Sequence, residues 1–206
     1  VRTVLACLLL AALCVWGAPA EPERGVRVLS PLHECVLGSG KVEIVAFAAG
    51  LAANEAAALP VVVDGNPIER VPTEPPAVLA RTELAPGEHT ITVGPETVRV
   101  WVRGDDELPE AVRSWPEMLA HPGGADGWQE CASCHVTSGE DGVLGIRDLV
   151  LPDACLTCHP PIDFELAHSH PLMPIAGCKR CHATHGATSD KLLRGPAKKL
   201  CAECHE

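Results

Sequence analysis

The chain has no tyrosine, two phenylalanines and two methionines among its 206 residues. With four tryptophans the large aromatics come to only 3% of the chain, so most of the apolar bulk must come from elsewhere wherever the chain packs. Base is scarce as well: 16 Lys+Arg stand against 27 Asp+Glu, a formal net charge of −11. That balance excludes the broad electropositive face on which nucleic-acid binding rests. Long apolar runs are missing except at the start, where VRTVLACLLLAALCVWGAPA has an apolar stretch short of the ~20 residues that cross a bilayer comfortably.

That first stretch has one basic residue, Arg2, and ends in Ala18-Pro19-Ala20, the pattern of a secretory signal with an A-x-A cleavage site. Residues 1–20 are therefore expected to be a signal peptide. Cleavage after Ala20 would leave nine cysteines and a formal charge of −12, from 15 Lys+Arg against 27 Asp+Glu. The expected location is periplasmic, secreted or cell-surface. Membrane contact would be indirect, or made through an uncleaved N-terminus.

Cysteine is abundant but unevenly spread. Eight of the 11 lie after residue 130, whereas the stretch from Val26 to Val102 holds one and is rich in Val, Ile and Thr. The composition predicts a two-domain α+β chain: an all-β domain at 21–103, a linker at 104–117 and a cysteine-rich domain at 118–206. The linker sequence GDDELPEAVRSWP is acidic, punctuated by proline, and has room for one short helix.

Cys-x-x-Cys-His occurs four times, as Cys131-Ala-Ser-Cys134-His135, Cys155-Leu-Thr-Cys158-His159, Cys178-Lys-Arg-Cys181-His182 and Cys201-Ala-Glu-Cys204-His205. From the composition alone one such match is expected about 0.03 times, so four are no accident of cysteine content. Each reads as a c-type haem attachment, giving four covalently bound haems c. On one helical turn, positions i, i+3 and i+4 share a face, so two thiols reach the haem vinyl groups while the imidazole reaches the iron. Paired C-x-x-C motifs also build tetrahedral zinc sites or, singly, thioredoxin-like redox centres; neither requires a histidine directly after every pair.

The first cysteines of successive motifs lie 24, 23 and 23 residues apart, which signals repetition. A longer repeat overlies it: Ala120-His121 precedes Cys131 by the same interval as Ala167-His168 precedes Cys178. The copies differ in that Thr184-His185-Gly186 aligns with Thr137-Ser138-Gly139.

The stretch GCKRCHATHGATSDKLLRGPAKKLCAECHE, preceded by HSHP, resembles the doubled C-x-x-C-H unit of multihaem c-type cytochromes, relatives of the class III cytochromes c. The resemblance runs from about Met118 to Glu206 and is sharper in the second copy than in the first, where Ser138 replaces a histidine. It implies an electron carrier with mostly bis-histidine haems; the crowding of four haems into so short a stretch predicts a domain of short helices and loops with little regular structure and few or no strands.

Four histidines come from the motifs, leaving His33, His89, His121, His168, His170 and His185. The last four lie in the cysteine-rich region, one for each iron, so bis-histidine ligation of all four is arithmetically possible. A closed six-coordinate iron suits electron transfer at low potential. His185 follows His182 by three residues on what reads as the same short helix, so it should serve a neighbouring haem. Met173 is an alternative axial ligand of higher potential. Macrocycles crowded into so short a stretch would themselves be the apolar core.

Between Val26 and Val102, VRVL, VEIVAFA, LPVVV, HTITV and VRVWV alternate in the manner of strands, broken by Asp64-Gly65-Asn66-Pro67 and by Gly94-Pro95. An immunoglobulin-like sandwich is expected, with Val98, Val100 and Val102 inward and Arg99 and Trp101 outward; Ala48 to Ala58 is left as helix or loop. No catalytic constellation is visible there, and Cys35 is left over. Around the last motif pair, Lys179, Arg180, Lys191, Arg194, Lys198 and Lys199 outnumber Asp190, Glu203 and Glu206, either countering haem propionates or forming a docking face.

The function expected is electron transfer to and from redox partner proteins in an extracytoplasmic respiratory chain, without an enzymatic reaction of its own. The alternative is a multihaem reductase, which needs one iron with an open position. Protein matured by a host competent in c-type assembly should give four haems per chain by pyridine haemochrome. Replacing Cys201 and Cys204 by serine should lower the count to three, and an unchanged count would refute attachment there.

Overall fold

The computed structural model describes residues 24–121, 127–128, 131–140, 143–148, 153–159 and 178–205. The expected signal segment, His168, His170 and Met173 lie outside them.

The alternating stretches form strands, and the inward positions make one core. In chain order these elements are β1 (Gly25–Ser30), β2 (Cys35–Leu37), β3 (Lys41–Ala49), the short helix α1 (Ala53–Ala57), β4 (Val61–Val63), β5 (Asn66–Pro67), β6 (Arg70–Val71), β7 (Ala77–Glu83), β8 (Gly87–Val93) and β9 (Glu96–Val102). One sheet has the order β1-β3-β7-β6 and the other β2-β9-β8-β4-β5. Pairing is antiparallel except for β2 on β9.

In β3, Val42, Ile44, Ala46 and Ala48 are buried while Phe47 on the opposite face is exposed, the period of two that a half-buried strand demands. β9 behaves likewise: Val98, Val100 and Val102 are buried, Arg99 is exposed, and Trp101 is half-buried. Together with Val78 and Ala80 of β7, and Ile91 and Val93 of β8, they form a core of small aliphatic side chains, as the shortage of aromatics required. The alanine-rich stretch divides between the end of β3 and α1, whose first turn is closed by Glu55 accepting from the Ala52 N–H at 2.8 Å. β4 turns into β5 through Asp64 (φ +50°) and Gly65 (φ +80°), the left-handed pair that an Asp-Gly two-residue hairpin uses.

The Asp64 carboxylate then reaches across to β8. It accepts from the Thr90 N–H at 2.8 Å and lies 2.7 Å from His89 Nδ1, while His89 Nε2 lies 2.8 Å from the Ala85 carbonyl. Burial would raise that carboxyl, but these hydrogen bonds and the His89 charge outweigh it and leave it below the usual range. His33 Nδ1 accepts from the Arg99 N–H at 3.2 Å.

Beyond β9 the chain does not swing free of the sheets. Val112 is buried, the Val36 N–H donates to Pro116 at 2.9 Å, and the Met118 N–H donates to Val36 at 2.8 Å, so the end of the 104–117 segment lies along β2. Residues 109–115 form successive turns, with Val112 bonded to Pro109 and Trp115 to Val112. The cysteine-rich part adds a two-stranded antiparallel hairpin, β10 (His135–Glu140) and β11 (Val143–Asp148), and two short helices, α2 (Asp153–Leu156) and α3 (Ala197–Ala202). The hairpin is regular structure that motif spacing did not anticipate. No described helix is long and apolar enough to cross a membrane.

Ile91, fully buried in β8, should cost about 2–5 kcal/mol when replaced by alanine. Thr92 beside it, whose hydroxyl lies 3.1 Å from that of Thr97, should cost under about 1 kcal/mol. Chemical denaturation of both variants would measure the contrast, and equal losses would refute the two-sided core.

Candidate haem-attachment site

Three of the four motifs close the same turn. Cys158, Cys181 and Cys204 donate their N–H to Cys155, Cys178 and Cys201 at 3.2, 3.1 and 3.2 Å, and His159, His182 and His205 donate to the same three carbonyls, each at 2.9 Å. An i→i+3 bond followed by an i→i+4 bond is one turn of helix, and it sets both thiols and the imidazole on one side. In the first motif Cys134 bonds to Cys131 at 3.2 Å, but His135 at once begins β10. None of the described cysteines is in a disulfide; Cys134, Cys158, Cys181, Cys201 and Cys204 are exposed.

His182 and His185 do not share a helix. The 3-10 turn covers Cys178–Arg180 only; His182 then pairs with Leu193, and Ala183 donates to Leu192 at 2.8 Å, so a bridge draws the chain out of helical form. Gly186 follows at φ +149°, a conformation that side chains seldom adopt. The two imidazoles therefore serve different directions. His182 Nδ1 lies 2.8 Å from the Lys191 carbonyl, which fixes Nδ1 as the donor and leaves Nε2 as the nitrogen that could bind a metal. His185 instead lies over His135, with ring centres 6.0 Å apart and planes 18° from parallel.

His121 is held in the same neighbourhood. Leu119 and Ala187 exchange N–H···O bonds of 2.7 and 2.9 Å, and His121 Nδ1 lies 3.1 Å from the Thr184 carbonyl. That carbonyl selects the Nδ1–H tautomer and again leaves Nε2 to bind a metal. A half-open groove of about 440 Å³ opens beside this bridge, lined by Ala183, Ala187, Leu193 and Pro196 and by Leu32 from between β1 and β2.

The motifs touch one another. The Cys155 thiol, pushed up to about 11 chiefly by burial, hydrogen-bonds with the Cys178 thiol. Arg180 reaches Cys204 Sγ at 3.6 Å. Arg194 ties the last two turns together: its N–H donates to Cys181 at 2.8 Å, and its guanidinium bonds the Arg180 carbonyl and, at 2.6 Å, Glu203. The third motif thus contacts the second and the fourth, and its downstream His185 meets the first. On the sheet side, Trp128 lies beneath Lys41 and Arg81, 5.7 and 5.6 Å from its ring centre, and burial followed by the Glu43 charge raises the Cys131 thiol.

Residues 170–206 match the family model described as the doubled CXXCH motif, which takes in the last two attachment turns. The C-terminal region is that of a multihaem c-type cytochrome. No curated protein and no solved structure matches the chain. The turns fit haem c by chemistry as well as by spacing, since each offers two thiols for thioether bonds and an imidazole whose orientation, at His182, is already fixed.

Cys35 stands apart from the cytochrome turns. It is fully buried, donates to the Leu32 carbonyl at 3.0 Å and lies 3.8 Å from Met118 Sδ. Burial pushes its thiol up to about 11, as in an inert core cysteine. The sequence reading overlooked Gly186 and the carbonyls of Thr184 and Lys191, which orient the histidines; Thr-His-Gly next to a motif was the available signal.

A Cβ at Gly186 would lie 2.2 Å from Met118 Cε and 3.4 Å from the Leu119 carbonyl. The methionine end can move, but the backbone angle cannot be relieved, so Gly186→Ala should cost about 1–3 kcal/mol. Adding Met118→Ala should recover little of that loss in thermal or chemical denaturation, and full recovery would show that crowding alone was responsible.

Proposed function

We propose that the chain is an exported electron carrier holding four haems c with bis-histidine, low-potential irons. Its cysteine pairs 131/134, 155/158, 178/181 and 201/204 form the thioether bonds; His135, His159, His182 and His205 supply one axial ligand each, and His121, His168, His170 and His185 the other. The bound haems supply reversible one-electron chemistry at iron. The protein's part is to hold them close, tune their ligands and exclude a free coordination position.

The observation that carries this reading is the mutual contact of the attachment turns. Thiols of the second and third motifs touch, Arg180 of the third touches Cys204 of the fourth, and His185 lies over His135. Tunnelling falls steeply with separation, so attachment points this close favour passage of electrons from one centre to the next. A haem enzyme needs an iron with an open site, whereas the cysteine-rich sequence has one further histidine for every iron.

The sheets fit an immunoglobulin-like sandwich, residues 21–103, that positions the tetrahaem domain, residues 118–206, across the 104–117 connection. Two facing sheets over one aliphatic core support that reading. The carrier would work in the periplasm or at the cell surface, exchanging electrons with other redox proteins. Its acid excess suits partners with a basic face, while the bases around the last motif pair counter the propionates.

The reduced holoprotein should show low-spin c-type bands without a high-spin fraction. A redox titration should resolve four low-potential centres. Carbon monoxide binding to a native haem, or persistent high-spin iron, would overturn complete bis-histidine ligation and favour a reductase.

A further inference from the structure

We propose that Asp64 and His89 form a pH-sensitive clasp at one end of the two N-terminal sheets, closed while the imidazole carries a proton on both nitrogens and open in alkaline medium. None of its residues belongs to an attachment turn, so the clasp stands whatever the haem ligands are.

Along β8 the core-facing side chains are Ile91 and Val93, and His89, two residues earlier, ends the same row. Its side chain is 13% exposed. Nδ1 lies 2.7 Å from Asp64 Oδ2 and Nε2 lies 2.8 Å from the Ala85 carbonyl. Both of these partners are acceptors only. A neutral imidazole has one N–H, satisfies one of them and turns a lone pair toward the other, whereas an imidazolium donates to both.

Asp64 is held in place for this contact by bonds of its own. Its N–H donates to the Thr90 carbonyl at 2.9 Å, and its Oδ1 accepts from the Thr90 N–H at 2.8 Å. Burial works against its charge, but the bonds from His89 and Thr90 outweigh it and keep the carboxyl below its usual range. The acceptor therefore stays ionised throughout the range in which histidine titrates.

Other charges are turned elsewhere. Opposite His89 on β9 is Val100, and Arg99 beside it lies on the outer face with Glu88 and Glu34. The turn from β7 to β8 contributes the Ala85 carbonyl and Pro86. On the other sheet, Lys41, Glu43, Arg81 and Glu83 alternate with the core-facing Val42, Ile44, Val78 and Ala80, so strand geometry directs them outward. Among the described residues, Asp64 is the charged group that the imidazole meets.

The clasp ties the β4–β5 hairpin to the β7–β8 turn. Pro86 of that turn packs on Gly104, where a Cβ would lie 2.9 Å from Pro86 Cβ, so the clasp stands at the root of the connection toward the cytochrome region. Because the folded chain favours the doubly protonated ring, the stabilisation is present in acid and is lost as pH rises through the imidazole range. It ends on the acid side where the Asp64 carboxyl takes up a proton.

The experiment measures amide hydrogen exchange at Thr90 in the full-length holoprotein and in His89→Gln, as a protection factor corrected for the intrinsic pH dependence of exchange. Between pH 5 and pH 8, protection in the unaltered chain should fall about tenfold, the loss expected of one charge-assisted hydrogen bond. In His89→Gln it should stay level. An equal fall in both chains would place the pH effect elsewhere and overturn the clasp, as would constant protection in the unaltered protein. Should the variant fail to fold, nitrogen-edited NMR of the unaltered protein decides. Both ring N–H protons of His89 should be observed at pH 5, and a single ring N–H there would refute the doubly donated contact.

Discussion

One turn of backbone carrying two thiols and an imidazole on the same side is the constraint to which the C-terminal half answers. The turn is short because the macrocycle's vinyl groups and iron lie a fixed distance apart, and it needs no long helix to support it. Its consequence is visible in burial. Among the residues after Val102 whose burial is described, the buried hydrophobic side chains are Val112 and Ala187, and most of the motif cysteines are exposed. The apolar surface buried by these described residues is small against the conformational entropy of their ordering. Covalently held porphyrins would provide the missing apolar contact, and they would do so from inside the turns.

The N-terminal sheets solve the opposite problem. They build a complete aliphatic core without any cofactor, then offer three points of attachment to the part that lacks one. β2 takes the 116–118 stretch as a further strand partner, and that stretch in turn grips Ala187 through Leu119. Leu144 of β11 exchanges bonds with Pro72 and Glu74 beyond β6, at 2.8 and 3.0 Å. Trp128 rests under Lys41 and Arg81, a contact worth about 0.5–1 kcal/mol where exposed. The attachments are mostly backbone to backbone, so they fix register more than they add energy.

Strands with a clean alternation were legible from sequence: β3 and β9 follow VEIVAFA and VRVWV, and Asp64-Gly65 marks its hairpin. β7 was not, because it carries three buried residues in succession, Val78, Leu79 and Ala80, as a strand covered on both sides does. β2 is three residues long and takes its partners from distant parts of the chain. At the site, the attachment turns could be read from i, i+3, i+4 spacing, which is local. The meeting of His135 with His185 could not, since nothing in either neighbourhood specifies the other. The helix expected to carry both His182 and His185 gave way because pairing of His182 with Leu193 outcompetes a second helical turn.

The unequal copies also find a physical account in this arrangement. In the first, the Thr-Ser-Gly triplet is strand, and the hairpin it forms is held to the sheet side through Leu144. In the second, Thr-His-Gly is a bend whose carbonyl at Thr184 orients His121 and whose glycine admits the close approach of Met118. A histidine in the middle of β10 would lie among cross-strand partners, where strand geometry alone decides its direction. A serine there leaves the hairpin free to dock.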